Sequence, residues 1–253
     1  MTQPVQHQDQ FGQPIGFPLP DWTPPQLPPR VTLTGEYCRV EPLDGARHAT
    51  DFHIANNLET DLRGWTYLTY GPFATTEDCR RWADESAQRT DYLFHAIIDQ
   101  SCEKTGGIAA YMRIDPANGS VEVGGIKYTP LIAQQPVATE AMFLMMKNAF
   151  ELGYRRYEWK CDALNFPSRE AAQRLGFSFE GIFRQAVVTK GRNRDTAWYS
   201  ITDREWPALR LAYEEWLMPE NFDAEGQQIV RLSGLTEPLL RAHDWSTQPV
   251  DFK

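Results

Sequence analysis

The sequence has little cysteine, no long apolar run and no glycine-rich nucleotide loop. Cysteine occurs four times in 253 residues, at Cys38, Cys79, Cys102 and Cys161, with no C-x-x-C pair. That spacing offers neither a disulfide framework nor a zinc site. The histidines, His7, His48, His53, His95 and His243, show no H-E-x-x-H or comparable ligand spacing, so no metal is expected. No apolar run exceeds six residues, against the roughly 20 that a bilayer requires. With a mean hydropathy of −0.51, no membrane span is expected. Neither G-x-G-x-x-G nor G-x-x-x-x-G-K-[ST] occurs, so Rossmann and P-loop readings fail. Basic residues are outnumbered, giving a net charge of −9. A nucleic-acid binder needs clustered Lys and Arg, so none is expected here. The first ten residues are polar and lack a basic-then-apolar signal layout, which points to a cytoplasmic location.

What is there reads as a folded domain. Hydrophobic residues make up 42% and charged residues 23%, an ordinary globular balance for one large domain or two small ones. Residues 1–30 stand apart, holding eight of the eighteen prolines. Proline fixes φ and removes a donor, so this arm should be extended. It also carries Phe11, Phe17, Trp22 and Leu27. An arm laid across the domain surface is expected; a loose arm, or one that packs on a second copy as a homodimer, stays open. The domain itself is expected over 31–217. Residues 218–253 read as a loosely structured acidic tail, and the span 203–253 alone carries a net charge of −5.

Periodicity gives the element order. Residues 31–41 alternate weakly as a strand interrupted at Gly35, and 48–58 read as a helix. An aromatic loop follows over 64–73, then a helix capped by Thr75 or Thr76 to about Ser86. Strands are expected over 93–99, 106–114 and 121–128, the last two joined by the turn 115–119. A mostly buried helix spans about 139–152, with Met142, Met145, Met146, Ala149 and Phe150 at three- and four-residue spacing. Then come a strand over 157–163, a helix over 168–175 stopped by Gly176, and strands over 177–188 and 196–201. Asp203 is expected to cap a last helix to about Leu217. The order predicts a mixed α/β fold rather than a doubly wound sheet.

The informative stretch is 121–176. A strand runs through the loop 129–137 into the N-terminus of a buried helix, which gathers backbone N–H groups and a positive dipole end, a setting for pyrophosphate. The next strand ends at Asn165, which opens another helix. Two neighbouring parallel strands diverging there would leave a slot for a linear arm.

Five fragments occur in order: Glu122-Val123-Gly124; Ala138-Thr139-Glu140-Ala141; Asp162-Ala163-Leu164-Asn165 with Ser168-Arg169; Arg174-Leu175-Gly176-Phe177; and Glu180-Gly181-Ile182-Phe183-Arg184. On them the chain resembles the GCN5-related N-acetyltransferase (GNAT) superfamily, in the branch of the ribosomal-protein N-terminal acetyltransferases, over about 31–217. The resemblance implies a central mixed sheet splayed at an acetyl-CoA site, with helices on both faces. It implies acetyl-CoA as co-substrate, no metal, and transfer to a primary amine, either a small amine or a peptide N-terminus. Backbone groups near Ile126 and Tyr128 would pair with the pantetheine arm. Gln134, Gln135, Val137, Ala138 and the Thr139 hydroxyl would surround the pyrophosphate. The family pattern Gln/Arg-x-x-Gly-x-Gly/Ala reads here as Ala133, Pro136 and Ala138, so one amide donor is replaced by proline.

Asn165 would lie beside the cofactor arm or act simply as a helix cap. Ser168 would stand near the sulfur as a proton donor or merely begin a helix. The tyrosine acid that some relatives carry seven residues after the asparagine is Ala172 here, and the acidic position on the following strand is Val187. Glu122 is the candidate base, with a rim carboxylate as the alternative. Trp65, Tyr67 and Tyr70 fall in the loop that walls the acceptor pocket in this family; ordinary packing is the alternative. Cys161 and His95 read as buried structural residues. Two rivals to an enzyme are a non-catalytic acyl-CoA-binding or regulatory protein and an interaction module built on the arm.

Overall fold

A computed structural model describes residues 7–224 and 226–244. Among these residues ten strands and six α-helices follow one another. They are β1 (His7–Gln8), β2 (Pro14–Ile15), β3 (Leu33–Thr34), β4 (Cys38–Pro42), α1 (Gly45–Asn56), α2 (Thr76–Ala87), β5 (Tyr92–Asp99), β6 (Lys104–Asp115), β7 (Ser120–Tyr128), α3 (Pro136–Glu151), β8 (Arg156–Asp162), α4 (Phe166–Arg174), β9 (Ser178–Thr189), β10 (Arg192–Thr202), α5 (Trp206–Trp216) and α6 (Leu232–Thr236). Strands β3 to β10 form one eight-stranded sheet in the order β3-β4-β5-β6-β7-β8-β10-β9. Every neighbouring pair is antiparallel except β7 and β8. No helix of the described residues is long and apolar enough to cross a membrane.

Strand alternation divides the core between two faces. Leu93, Ile97, Tyr111, Val121 and Val123 meet α3 and α5 through Met142, Met145, Met146, Leu209 and Tyr213. Phe94, Ala96, Ile98, Ile108 and Ala110 meet Phe52, Cys79, Ala83 and Trp65 from α1, α2 and the loop between them. The period-two and period-four patterns of the sequence therefore locate both layers.

Several local expectations need correction, beginning with α1 and β10, which start at Gly45 and Arg192, three and four residues early. The segment 31–41 is a tight hairpin, β3 to β4, rather than one strand. Its turn is held from α3: Glu140 accepts from the amides of Glu36, Tyr37 and Cys38 at 2.7–2.8 Å. Helix α3 starts at Pro136, three residues before the expected position, because proline suits the first helical turn, where no N–H partner is required. Glu205, not Asp203, stands at the N-cap of α5, while its side chain accepts from the Thr202 amide and hydroxyl. Residues 218–224 and 226–244 are not loose: Leu232, Thr236 and Asp244 are buried. The rest of the expected tail lies outside the described residues.

The proline-rich arm, over its described residues 7–30, lies on the domain. Tyr154 Oη donates to the Gln26 carbonyl, Arg155 sits over the Trp22 ring and Arg204 over the Phe17 ring. Pro25 and Pro28 are buried.

Candidate active site

The two parallel strands stay paired from Ser120↔Arg156 to Val123↔Trp159 and then diverge. The cause is local. Ile108 faces Lys127 and Ala110 faces Gly124, so Gly125 and Ile126 together oppose the single residue Ala109. This β-bulge bends β7 away from β8. Gly125 takes φ +57°, a left-handed value that a side chain disfavours. Tyr70 Oη donates to the Gly125 carbonyl at 2.8 Å and fixes the bulge from the side of α2. The result is a slot between Gly125–Tyr128 on one strand and the end of β8 on the other.

One end of the slot meets α3. Gln135 is its N-cap with no side-chain cap bond, and Gln134 holds φ +63°. The dipole end of this 16-residue helix is thus uncapped by its own side chains. Pro136 at the first helical position removes an amide that no helix would use internally. Tyr128 Oη donates to the Ala138 carbonyl at 3.4 Å, tying the splayed strand to this helix. Val137 and Ala138 are buried, and the Ala138 amide donates to the Gln135 carbonyl at 3.2 Å. Thr139 is buried, and Arg174 Nη1 donates to its Oγ1 at 3.3 Å, which ties the hydroxyl to the end of α4.

The far wall is the β8–α4 turn. Asn165 caps α4, its Oδ1 accepting from the Ser168 amide at 3.3 Å. Ser168 Oγ accepts from Trp159 Nε1 at 3.0 Å, which fixes the oxygen and leaves the hydroxyl hydrogen to donate. Cys161 is buried, and burial pushes its thiol up to about 11, so it is no thiolate nucleophile at neutral pH.

Opposite α3, β7 presents Glu122 three residues before Gly125 of the bulge. Glu122 is only 2% exposed, so it is not a rim carboxylate. Arg113 Nη1 donates to Oε1 at 2.6 Å, and Lys160 Nζ lies 3.1 Å from Oε2. The second contact is an ion pair without hydrogen-bond alignment. Burial raises the Glu122 carboxyl above the usual range, against the pull of Arg113 and Lys160. Lys160 also touches Glu158 at 2.6 Å and lies 3.8 Å from the Trp198 ring centroid.

The loop between α1 and α2 crosses this side. Trp65, at 4% exposure, is core: its ring packs edge-on against Phe52, Tyr70 and Phe73. Tyr70 is stacked on Trp82 at 4.4 Å. Of the three aromatic candidates, Tyr67 alone is exposed, and its hydroxyl donates to the Leu164 carbonyl at 3.0 Å. Lys190, in the β9–β10 turn, donates to the carbonyls of Trp65 and Thr66. The loop is thus fastened to the β8–α4 turn and to the β9–β10 hairpin.

Comparison with known proteins decides what this arrangement is. The family model described as an acetyltransferase (GNAT) domain matches residues 40–178, more than half of the chain. The chain belongs to the GCN5-related N-acetyltransferase family. It is 50% identical to a GNAT protein of Brucella melitensis known from a crystal structure, with a TM-score of 0.84 over 87% of this chain and 100% of that one. A curated relative, the SPbeta prophage-derived uncharacterized N-acetyltransferase YokL of Bacillus subtilis (strain 168), is 25% identical over 62% of this chain and 86% of its own length. The ribosomal L7/L12 alpha-N-protein acetyltransferase RimL shares the fold alone, at 20% identity and a TM-score of 0.57 over 68% of this chain and 93% of its own.

The GNAT chain is accordingly an acetyl-CoA-dependent N-acetyltransferase. Its residues suit that co-substrate: a slot along strand backbone that β8 no longer pairs and a helix end without side-chain cap lie side by side. Sequence reading passed over Arg113, Lys160 and Trp198. Lys160 alternates with Trp159 along β8 and so shares the Glu122 face, a signal visible only once β7 and β8 are known to be neighbours.

Proposed function

We propose that the enzyme transfers the acetyl group directly to a primary amine, with no acyl-enzyme stage. The observation that carries this reading is the bulge-driven divergence of β7 and β8 beside the uncapped end of α3. The bound thioester supplies the acetyl carbon. Backbone groups of Ile126 and Tyr128 hold the pantetheine arm in the slot, and the α3 terminus with Gln134, Gln135, Val137 and Ala138 takes the pyrophosphate. Asn165 flanks the arm.

The amine enters on the opposite face, past Tyr67. An amine with a pKa near 10 is protonated at neutral pH, so a proton must leave before attack. Glu122 Oε2 accepts it: this oxygen is the one without an aligned hydrogen bond, and burial has lifted its carboxyl. The nitrogen then bonds to the carbonyl carbon to give a tetrahedral intermediate. The carbon–sulfur bond breaks as the carbonyl re-forms, Ser168 passes its hydroxyl proton to the departing thiolate, and the second proton shed by the nitrogen returns to Ser168 to leave the neutral amide. The acceptor is a peptide N-terminus or a small amine.

A panel of peptides and amines, read by thiol release and by mass spectrometry, tests this. Amine-dependent release supports the enzyme reading. A second reading, a non-catalytic acyl-CoA-binding protein, draws on the loss of an amide at Pro136 and of a side-chain donor at Ala133. Tight acetyl-CoA binding without amine-dependent release would establish it instead.

A further inference from the structure

Beyond α5 the chain turns back across α4 and fastens there at both ends. Thr236 Oγ1 donates to the Arg174 carbonyl at the end of α4. The Asp244 amide donates to Gln173 Oε1 at 2.7 Å, the Arg241 amide to Ser178 Oγ at 2.8 Å, and the Phe179 amide to the Ala242 carbonyl at 3.1 Å. The centre of the contact is an ion pair. Arg169 and Asp244 are 3% and 2% exposed. Arg169 Nε donates to Asp244 Oδ2 at 2.8 Å, and Nη2 reaches Oδ1 at 2.7 Å and Oδ2 at 2.6 Å. Tyr199 Oη donates to the same carboxylate.

Arg169 has a second task. Its Nη1 donates to the Ala163 carbonyl at 2.7 Å, in the turn that leads to Asn165, and it follows Ser168 directly. One guanidinium thus joins the C-terminal segment to the turn that walls the slot. A buried guanidinium needs a paired carboxylate; without Asp244 it must seek water, and the Ala163 contact goes with it.

We propose that Asp244 is a positioning residue of the acetyl-CoA site, acting through Arg169 on the Ala163–Asn165 turn, so that docking of the C-terminal segment and binding of acetyl-CoA favour each other. This rests on the reading of the slot as the acetyl-CoA site. Linkage is reciprocal: what tightens acetyl-CoA must itself be tightened by it. Asp244 touches no reacting atom in this account.

The test uses the full chain with coenzyme A and acetyl-CoA. Calorimetry first establishes that both bind. Hydrogen exchange of the Arg241 and Asp244 amides should then slow by roughly 5- to 150-fold on saturation, the usual range of coupling. In Asp244→Asn, the KM for acetyl-CoA should rise by a comparable factor, with kcat and the KM for the amine unchanged. Binding with unaltered exchange at both amides would overturn the proposal, whether or not the variant folds. A variant that loses folded protein but keeps its KM for acetyl-CoA would also overturn it. Absence of binding in the calorimetry would remove the acetyl-CoA reading, and the proposal with it.

Discussion

Lys160 Nζ stands 3.1 Å from Glu122 Oε2, across two strands whose backbone pairing ends at Val123↔Trp159. The pair joins β7 to β8 just where they begin to diverge. It gives a buried carboxylate a cationic neighbour without closing its second oxygen in an aligned hydrogen bond. Burial and the two cations act on Glu122 in opposite senses, and burial prevails.

Glu122→Gln is therefore expected to remove the acidic limb of the pH–rate profile. In the wild type, kcat/KM should fall as pH drops through the raised carboxyl, because the base becomes protonated. The variant should lose roughly 100- to 10,000-fold in rate, the usual worth of a general base. An unchanged acidic limb would eliminate Glu122 as proton acceptor.

Gly125→Val tests the slot. At φ +57° a β-branched residue is strained, and even a Cβ would come within 3.2 Å of the Phe94 ring. The bulge should shift and narrow the gap between the strands. A raised KM for acetyl-CoA is expected, with a stability loss of roughly 1–3 kcal/mol. Unaltered acetyl-CoA affinity would show that the bulge does not shape the site.

Glu140→Ala should cost more than an ordinary buried substitution. Three backbone amides, of Glu36, Tyr37 and Cys38, lose their acceptor at once. Hydrogen bonds to a charged group are worth about 1.5–3 kcal/mol each, and here they share one side chain. A fall in Tm on the order of 10 °C is expected by calorimetry, at roughly 2–4 °C per kcal/mol. A shift within error would mean that the β3–β4 turn is held by other means.

His95 gives the fold an acid limit. It is 2% exposed, packs edge-on against Tyr111, and burial pushes its pKa down to about 4, with Arg30 acting the same way. A histidine depressed in the fold binds its proton more readily when unfolded. Its contribution is thus intact above about pH 6.5 and lost as pH falls towards 4. The loss is about 3 kcal/mol at full extent. His95→Phe should flatten urea-midpoint stability across that window. An identical pH slope in both proteins would contradict the assignment.

Much of this was legible in the sequence because short-range patterns govern it. Short apolar runs between turns marked β5 to β8, the Met142–Met146 stripe marked the body of α3, and Asn165 followed by Pro167 marked the entry to α4. What escaped depends on distant partners. Residues 218–253 read as loose since nothing local reveals that Asp244 meets Arg169, 75 positions earlier. Trp65 carries the same aromatic signal whether it lines a pocket or fills a core, and only packing against Phe52 and Phe73 separates the two. Thr139 and Glu140 lie in the first turns of α3, but which way each side chain points follows from where β3, β4 and α4 lie.

The most direct test of the account is release of free coenzyme A from acetyl-CoA by the full chain, measured with and without amine and peptide acceptors. The account predicts release that depends on the acceptor, saturates with it, and yields an acetylated amine in equal amount by mass spectrometry. Acetyl-CoA bound without acceptor-dependent release across the panel would contradict it.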